Sequence, residues 1–306
     1  MVTFVIVRYR WRINSRCVSP LGIHATAVLV HDITTRLRDD GQIRLREMTL
    51  NTGSSSTRVA ALWRYPVKSM QGETCDELRF EESGVAGDRS FGVLDLGSRT
   101  ILSAKREGRL LEATASLVNG ELSVRLPGGH DIDPGDALDE SMTRWLGRPV
   151  TLVDARTHGI ATFESPEDFE RDDSNLERWE GMAGSFVDES PLHFLTTADL
   201  ELLSLERPDL QWDVRRFRPN IVIAADAGSL DPLEHGQRLT LGEVEIEILK
   251  GCTRCVMTTR PQPGNLDRQL DILRHTHALH DSQVGQRARV VVAGTVRVGD
   301  RVCRAA

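Results

Sequence analysis

Two cysteines near the end of the chain are the residues best suited to chemistry. Cys252 and Cys255 form a C-x-x-C pair that contains Arg254. A nearby guanidinium favours the thiolate, which is the form of cysteine that attacks electrophiles and binds metals. Apolar residues alternate over residues 244–249, which predicts a strand, and prolines with a glycine at 260–264 predict a loop. The sequence therefore predicts two thiols at the exit of a strand.

Four interpretations of this pair compete. Two small buried thiols are common in proteins, although a pair flanking an arginine is less so. A redox pair should begin a helix in a βαβ context, and here prolines follow too soon. A zinc site needs two more ligands, for which the candidates are His275, His277 and His280. The favoured interpretation is ligation of a soft-ligand transition metal by Cys255 alone, with Cys252 secondary.

Basic residues occur in or beside the loops predicted at strand ends. Any one of them alone is most often a solvated surface charge, but together with neighbouring polar residues they suit a phosphate or pterin group. The set comprises Lys68, Arg89, Arg216, Arg218 and Arg254 with Ser69, Asn220, Thr258 and Thr259. Lys68 is one of only three lysines, so a Schiff base with an aldehyde cofactor such as pyridoxal phosphate is a competing hypothesis.

Asp188 and Ser190 lie where a further strand is predicted to open. Spacing alone favours a turn with an Asx hydrogen bond, and the functional alternative puts both residues at the mouth of a cofactor site.

Composition bounds the class of protein. A chain of 306 residues that is 27% charged is typical of a soluble globular protein of two domains. The net charge of -7 argues against a general nucleic-acid binder, and no apolar run approaches the length of a membrane span. Five scattered cysteines, an odd number, argue against a disulfide framework and fit a reducing compartment such as the cytoplasm.

Residues 1–57 show no lasting helical or strand period. A transit peptide and a secretory signal are two alternatives for this segment. The favoured interpretation is that the true start is Met48 and that the upstream residues are disordered or wrongly assigned to the protein. From residue 58, short strand patterns separated by glycine turns predict sheets or a barrel, including a strand over 110–116. Helices are predicted over 137–146, 197–203 and 266–279. The acidic stretch 164–180 predicts a solvated loop or a lid.

Two pairs of motifs resemble one family. Residues 62–69 (LWRYPVKS) with 87–89 (GDR) resemble the N-terminal β-barrel domain that accompanies MOSC domains, and residues 216–223 (RFRPNIVI) with 252–259 (CTRCVMTT) resemble the MOSC domain itself. The order of motifs resembles that of mitochondrial amidoxime-reducing components and their bacterial relatives. The resemblance implies a β-rich α+β fold, with a MOSC N-terminal-like β domain over 58–180 and a MOSC β-barrel domain with a few helices over 181–306.

The resemblance also implies a pterin-dithiolene molybdenum cofactor and an oxidoreductase that reduces N-hydroxylated compounds. Cys255 matches the metal-ligating, catalytic cysteine of the family. The positions that match cofactor contacts are Lys68, Ser69, Arg89, Asp188, Ser190, Arg218, Asn220, Thr253 and Arg254. Electrons are expected from a separate ferredoxin- or cytochrome-type protein, because the cysteines cannot ligate an iron–sulfur cluster.

Three other functions are kept as alternatives. The first is a carrier of sulfur or cofactor with a persulfide on cysteine, the second a pyridoxal-phosphate protein that uses Lys68, and the third a zinc-binding structural protein.

Overall fold

The computed structural model describes residues 57–168, 170–171, 174–226, 230 and 233–305. The hypothesis on residues 1–57 falls outside this part of the chain, apart from Thr57. The described residues form many short strands and few helices, which confirms the predicted β-rich fold class.

The strands are β1 (Arg58–Arg64), β2 (Glu73–Cys75), β3 (Glu77–Glu81), β4 (Gly84–Val85), β5 (Phe91–Asp95), β6 (Thr100–Ile101), β7 (Thr114–Val118), β8 (Glu121–Arg125), β9 (Asp131–Ile132), β10 (Val150–Asp154), β11 (Thr162–Pro166), β12 (Leu176–Glu180), β13 (Leu192–Thr196), β14 (Ile221–Ala224), β15 (Arg238–Leu241), β16 (Val244–Thr253), β17 (Gln283–Val292), β18 (Gly294–Arg297) and β19 (Val302–Arg304). The α-helices are α1 (Asp136–Leu146), α2 (Ala155–His158), α3 (Thr197–Glu206), α4 (Val214–Phe217) and α5 (Leu270–Leu279). Gly108–Glu112 and Val256–Thr259 form 3₁₀ helices.

One large sheet joins the two ends of the described chain. Its eight strands run in the order β19-β15-β16-β17-β13-β14-β1-β2. Only the β13–β14 pair of this sheet is parallel. Strand β1 pairs with β14, with Leu62 opposite Ile221, and both side chains enter the core beneath the sheet. The first strand of the N-terminal half therefore shares a core with the C-terminal strands.

A second core lies under helix α1. Leu138, Met142 and Leu146 follow a four-residue spacing, so they project from one face of the helix. They pack with Val93 and Val150 from the β10-β5-β6 sheet. The helix ends at Leu146 and is followed by Gly147, whose φ of 65° is left-handed, as is common for a glycine at this position. The predicted helix over 137–146 is confirmed.

Helix α3 begins at the residue that the sequence suggests. The Thr196 hydroxyl accepts from the Asp199 amide at 3.1 Å, and the Asp199 carboxylate accepts from the Thr196 amide at 2.7 Å. This reciprocal capping box satisfies two amides that the helix itself leaves unpaired.

Three local predictions were wrong. Residues 108–112 form a 3₁₀ helix, so the strand predicted over 110–116 begins only at Thr114. The helix predicted from 266 begins at Leu270, because Leu266 pairs with Gln262 through backbone hydrogen bonds and closes a loop.

The third error concerns the acidic stretch 164–180, whose ends form the β11–β12 hairpin instead of a solvated loop. Glu164 is only 3% exposed and pairs with Arg106 and, at 2.6 Å, with Arg178. A buried carboxylate is tolerated where cations compensate it, and a count of acidic residues does not reveal such partners. Within the described residues, no helix is long and apolar enough to cross a membrane.

Candidate functional site

The ten residues that the family resemblance assigns to the metal and the cofactor all line a single cavity of about 570 Å³, whereas Thr259, also a candidate from the sequence, is not among the lining residues. The ten are Lys68, Ser69, Arg89, Asp188, Ser190, Arg218, Asn220, Thr253, Arg254 and Cys255. These residues come from five separate segments of the chain: the loop after β1, the turn before β5, the segment before β13, the end of α4 and the exit of β16. The cavity volume is typical of a site for a small molecule or cofactor.

The cavity is rich in positive charge, although the whole chain carries a net charge of -7. Its cationic lining residues are Lys68, Arg89, Lys105, Arg216, Arg218, Arg254 and Arg287, and its carboxylates are Glu177, Asp188 and Glu189. A cleft lined mainly by one sign of charge concentrates ligands of the opposite sign. The cavity is therefore suited to an anionic ligand.

Three of the lining residues have left-handed backbone conformations. The φ angles are 68° at Ser69, 46° at Arg89 and 54° at Arg218. Residues other than glycine adopt such angles at a cost, and they do so preferentially at functional sites. Hydrogen bonds hold two of the turns: the Arg89 amide donates to the Tyr65 carbonyl at 2.7 Å, and the Arg218 amide donates to Val214 at 3.1 Å.

Arg89 and Arg218 both stack on the ring of Tyr65. Their guanidinium carbons lie 4.4 and 4.1 Å from its centroid. Arg89 pairs with Asp88 and also donates to the Arg218 carbonyl at 3.2 Å. Burial, and then the charge of Arg89, lower the pKa of Arg218 to about 10.

The guanidinium of Arg218 is incompletely satisfied. Its Nη1 donates to the Met70 carbonyl at 2.7 Å, but its Nη2 is buried and has no hydrogen-bond partner. Burying a charged donor without an acceptor costs free energy, about 1–3 kcal/mol or more. A bound anion would supply the missing acceptor.

Lys68, Lys105 and Asp188 form a charged group at one wall of the cavity. The Lys68 ammonium donates to the Asp188 carboxylate at 2.6 Å and to the Phe186 carbonyl at 2.7 Å, and Lys105 lies 3.2 Å from Asp188. Burial lowers the pKa of Lys68 to about 8, although Asp188 opposes this. Desolvation opposes ionisation of Asp188, but the two lysines outweigh it and hold the pKa of that carboxyl well below its usual range.

Arg254 anchors the segment between the two cysteines. Its Nε and Nη2 donate to the Val284 carbonyl at 3.0 and 2.6 Å, and its Nη1 donates to the Phe217 carbonyl at 3.1 Å. Nη2 also contacts Nε2 of His193. Burial, and then the charge of Arg254, lower the pKa of His193 well below its usual value, so the neutral ring accepts this hydrogen bond.

Arg216 is likewise saturated, and it is only 1% exposed. It donates to the carbonyls of Gln211, Thr258, Arg260 and Asp267 at 2.8–3.2 Å, and to the Gln211 side chain at 3.1 Å. This arginine ties α4 to the segment that follows Cys255.

Asn220 and Ser69 also make structural contacts inside the site. The Asn220 amide donates to the Trp63 carbonyl at 3.3 Å, and its oxygen lies 3.4 Å from the His193 amide. The Ser69 hydroxyl accepts from the Ala104 amide at 2.9 Å. Both residues hold together the loops that form the cavity.

The two cysteines differ in environment. Cys252 is buried, and burial raises the pKa of its thiol by more than the Arg254 guanidinium lowers it. Cys255 is half-buried and lines the cavity at the start of the 3₁₀ helix. Desolvation opposes ionisation of Lys105, but Asp188 and then Cys255 raise the pKa of Lys105, so this ammonium and the Cys255 sulfur act on one another electrostatically.

The interpretation of the cysteines as zinc ligands gains no support. Within the described residues, the potential metal ligands that converge are Glu206, His275 and His280, and neither Cys252 nor Cys255 belongs to the group. The four described cysteines are free, in agreement with the expectation of no disulfide framework.

Several lining residues carry no clear signal in the sequence, or one that points to them only weakly. Lys105 is one of three lysines, the same signal that drew attention to Lys68. Trp179 on β12 places its ring 4.3 Å from the Lys105 ammonium, and Glu177 lies on the same strand. Arg287 on β17 pairs with Glu189. The hairpin residues and Arg287 reach the cavity only because distant strands pair in the folded chain. Their neighbours in sequence therefore do not indicate a site.

Both halves of the described chain match a family model. Residues 56–169 match the MOSC N-terminal beta barrel domain, and residues 182–303 match the MOSC domain. The chain therefore belongs to the MOSC-domain proteins that carry this N-terminal domain.

Several curated proteins are similar to this chain over most of its length. Mitochondrial amidoxime reducing component 2 of Rattus norvegicus is 27% identical over 292 residues, covering 80% of this chain and 82% of that protein. Mitochondrial amidoxime-reducing component 1 of Homo sapiens is 26% identical over 294 residues, with 80% and 82% covered. Molybdenum cofactor sulfurase of Caenorhabditis briggsae is 26% identical over 234 residues, covering 72% of this chain and 32% of that protein.

A solved structure, the YUAD protein from Bacillus subtilis, is similar with a TM-score of 0.39 and 12% identity, covering 81% of this chain and 94% of that chain.

Proposed function

We propose that the cavity binds a pterin-dithiolene molybdenum cofactor with Cys255 as the metal ligand, and that the protein reduces N-hydroxylated compounds. The observation that carries the proposal is the buried, unpartnered Nη2 of Arg218 in a cationic cavity that a half-buried thiol also lines. A phosphate needs such donors, and a soft thiolate suits a metal already held by sulfur ligands. The donors present therefore fit this cofactor.

The roles within the site follow from the contacts. Arg218 offers its free donor to the anionic end of the cofactor, and Arg89 orients Arg218 through the shared ring of Tyr65. Thr253 lines the cavity beside the thiol. Arg254 and Asn220 act by holding the loops, because their side chains already bond to protein groups. Asp188 holds the two lysines in place.

When bound, the cofactor supplies two-electron oxygen-atom transfer, and the protein supplies positioning and protons. Removal of oxygen from an N–OH group as water consumes two electrons and two protons. The Lys68 ammonium has a pKa of about 8, so it is protonated at neutral pH and able to release a proton inside the cavity. We propose Lys68 Nζ as a proton donor and Ser190 as a lining residue that faces the substrate.

Electrons are proposed to come from a separate ferredoxin- or cytochrome-type protein. Among the described residues, no group of cysteines converges to hold an iron–sulfur cluster. We further propose that the chain divides into a MOSC N-terminal-like domain over 58–180 and a MOSC domain over 181–306. A cytoplasmic location is also proposed, although the relatives above are named mitochondrial. Limited proteolysis and cell fractionation test these two points.

The reaction is tested by an anaerobic assay with the full chain from a host that makes molybdenum cofactor. Reduced viologen serves as artificial electron donor, and an amidoxime as substrate. Amidine formation that depends on both reagents supports the proposal. A protein that contains molybdenum and yet reduces neither an amidoxime nor a hydroxylamine would contradict the reductase assignment.

A sulfur or cofactor carrier is the second candidate, favoured by the cavity-lining Cys255 and by the relative named as a molybdenum cofactor sulfurase. A carrier would release labile sulfur from Cys255 and need no bound molybdenum. The lowered pKa of Lys68 also keeps pyridoxal phosphate as a competitor. An aldimine absorbance that borohydride abolishes would identify that cofactor.

A further inference from the structure

A cluster of three metal-ligating side chains lies apart from the cavity. Glu206 is the last residue of α3, His275 is on α5, and His280 follows the end of α5. The Glu206 Oε2 atom lies 2.8 Å from His275 Nε2 and 2.6 Å from His280 Nε2. None of these residues lines the cavity. The cluster therefore needs an explanation of its own.

We propose that Glu206, His275 and His280 bind a divalent transition-metal ion such as Zn²⁺. Two imidazoles and one carboxylate are a common set of three protein ligands for zinc, with water in the fourth position. Their ligand atoms all lie within 4.8 Å of one another. Zinc with four ligands at 2.0–2.1 Å separates the ligand atoms by about 3.3 Å, so a bound ion requires the two Glu206–His pairs, at 2.8 and 2.6 Å, to move apart by less than about 1 Å.

The surroundings of the three ligands also suit a metal. His275 is buried, with its ring centroid 5.7 Å from that of Trp212, so packing fixes the orientation of its ring. The His280 side chain is 19% exposed and that of Glu206 29%, which leaves one side of the cluster open to an ion and to water.

The ion would join the ends of α3 and α5. Helix α5 packs against the 3₁₀ helix Val256–Thr259, which directly follows Cys255. The Gln269 amide, at the start of α5, donates to the Thr259 carbonyl at 3.0 Å. A metal at this junction would therefore stabilise the backbone that carries Cys255, as a structural site and not as a part of the cavity.

The test measures binding of Zn²⁺ and Co²⁺ to metal-depleted full-length protein by calorimetry and absorbance. The expected result is one equivalent bound, a melting temperature that rises with metal concentration, and a Co²⁺ spectrum free of thiolate charge-transfer bands. Glu206→Gln and His280→Gln should each weaken binding at least about tenfold, the low end of the loss seen even when an outer-shell partner is removed. Both residues are partly exposed, so these variants should fold.

Two controls separate this site from others. His235→Gln changes an exposed histidine that bonds to the Leu249 carbonyl outside the cluster, and it should bind metal like the wild type. Cys255→Ser should also retain binding. Metal bound equally by Glu206→Gln and the wild type, binding lost in Cys255→Ser, or no binding at all would each overturn the proposal. The outcome is independent of whether the cavity holds molybdenum.

Discussion

Among the residues that line the cavity are two arginines and two cysteines, and the members of each pair differ in how fully the protein itself binds them. On the pocket side, Arg218 leaves one buried nitrogen without a partner and Cys255 is half-buried in the lining. On the anchoring side, Arg216 donates five hydrogen bonds to protein acceptors, and Cys252 is buried with a raised pKa. Residue type therefore does not separate ligand-binding groups from structural ones, but hydrogen-bond saturation does.

This contrast follows from how the two segments are built. Arg216 and Arg218 are two positions apart, and the left-handed turn at Arg218 directs the backbone away from the course of α4. Cys252 lies in β16, which ends at Thr253, and Cys255 follows the strand. The two thiols therefore lie in different surroundings. Each segment thus supplies one structural residue, Arg216 or Cys252, and one residue available to a ligand, Arg218 or Cys255.

The largest expected effect is at Cys255. Cys255→Ser should abolish reductase activity, a loss of more than about 100-fold, because ligand loss should exceed the 10–100-fold typical of an outer-shell partner. Cys252→Ser should cost much less, since the Cys252 thiol is buried and protonated. Steady-state kinetics on protein of known metal content makes the measurement. Equal and complete loss of activity in both variants would contradict a single-cysteine ligand and favour a dithiol mechanism.

The two arginines offer the sharpest matched pair. Arg218→Met should weaken cofactor retention by at least about 30-fold, because truncation of one partner of a buried charge pair costs 2 kcal/mol or more. Its free energy of unfolding should fall by only about 1 kcal/mol, because the change removes one buried hydrogen bond, to the Met70 carbonyl, together with an unpartnered buried donor. Cofactor content after dialysis and the urea midpoint provide the two readings.

Arg216→Met should show the opposite pattern. It removes the side-chain donor of the buried Thr258 and Arg260 carbonyls and of the part-buried Asp267 carbonyl, so the free energy of unfolding should fall by about 3 kcal/mol. Urea unfolding measures this loss. A stable Arg216→Met that has lost its cofactor would contradict the structural role of Arg216. An Arg218→Met that is destabilised as much as Arg216→Met would contradict the ligand-binding role of Arg218.

Lys68 predicts a smaller, pH-dependent effect. Its pKa is lowered to about 8 in the folded state, below the ordinary value of 10.5, so between these values the unfolded chain binds more protons. The free energy of unfolding should therefore rise with pH between 8 and 9.5, by up to about 2 kcal/mol relative to Lys68→Met. Urea unfolding of both proteins across this range tests the sign. An identical pH profile in both would show that Lys68 titrates normally.

Trp179 should give the smallest effect. Trp179→Phe keeps an aromatic face beside Lys105 but removes ring area from the hairpin side of the cavity. We expect KM for an amidoxime to rise by about 3-fold with kcat unchanged, as for the loss of a few apolar contacts of about 0.1–0.2 kcal/mol each. A change in kcat alone would place Trp179 on the cofactor side.

Much of the site was accessible from the sequence, because its residues lie in short motifs at strand ends. The ten residues matched to the family's contacts line one cavity, Thr259 does not line it, and the predicted strand-rich class is confirmed. The sequence did not separate Arg218 from Arg254, since the carbonyls that saturate Arg254 belong to Phe217 and Val284, far away in the chain.

The same limit explains the missed hairpin. Glu164 and Trp179 lie in a stretch whose acidic composition predicts a loop, and only cross-strand pairing and the burial of Glu164 define the strands. The partners of His275 and His280 were missed for a similar reason, because Glu206 is distant in sequence and meets them only after α3 and α5 pack.

The most direct measurement is the molybdenum content of the purified full chain beside that of Cys255→Ala, with oxidised pterin read by fluorescence. Binding in the cavity through the Cys255 thiolate predicts near-stoichiometric molybdenum and pterin in the wild type, and metal lost or loosely held in the variant. Wild-type protein from a cofactor-producing host that carries neither molybdenum nor pterin, or a variant that holds molybdenum as tightly as the wild type, would contradict it.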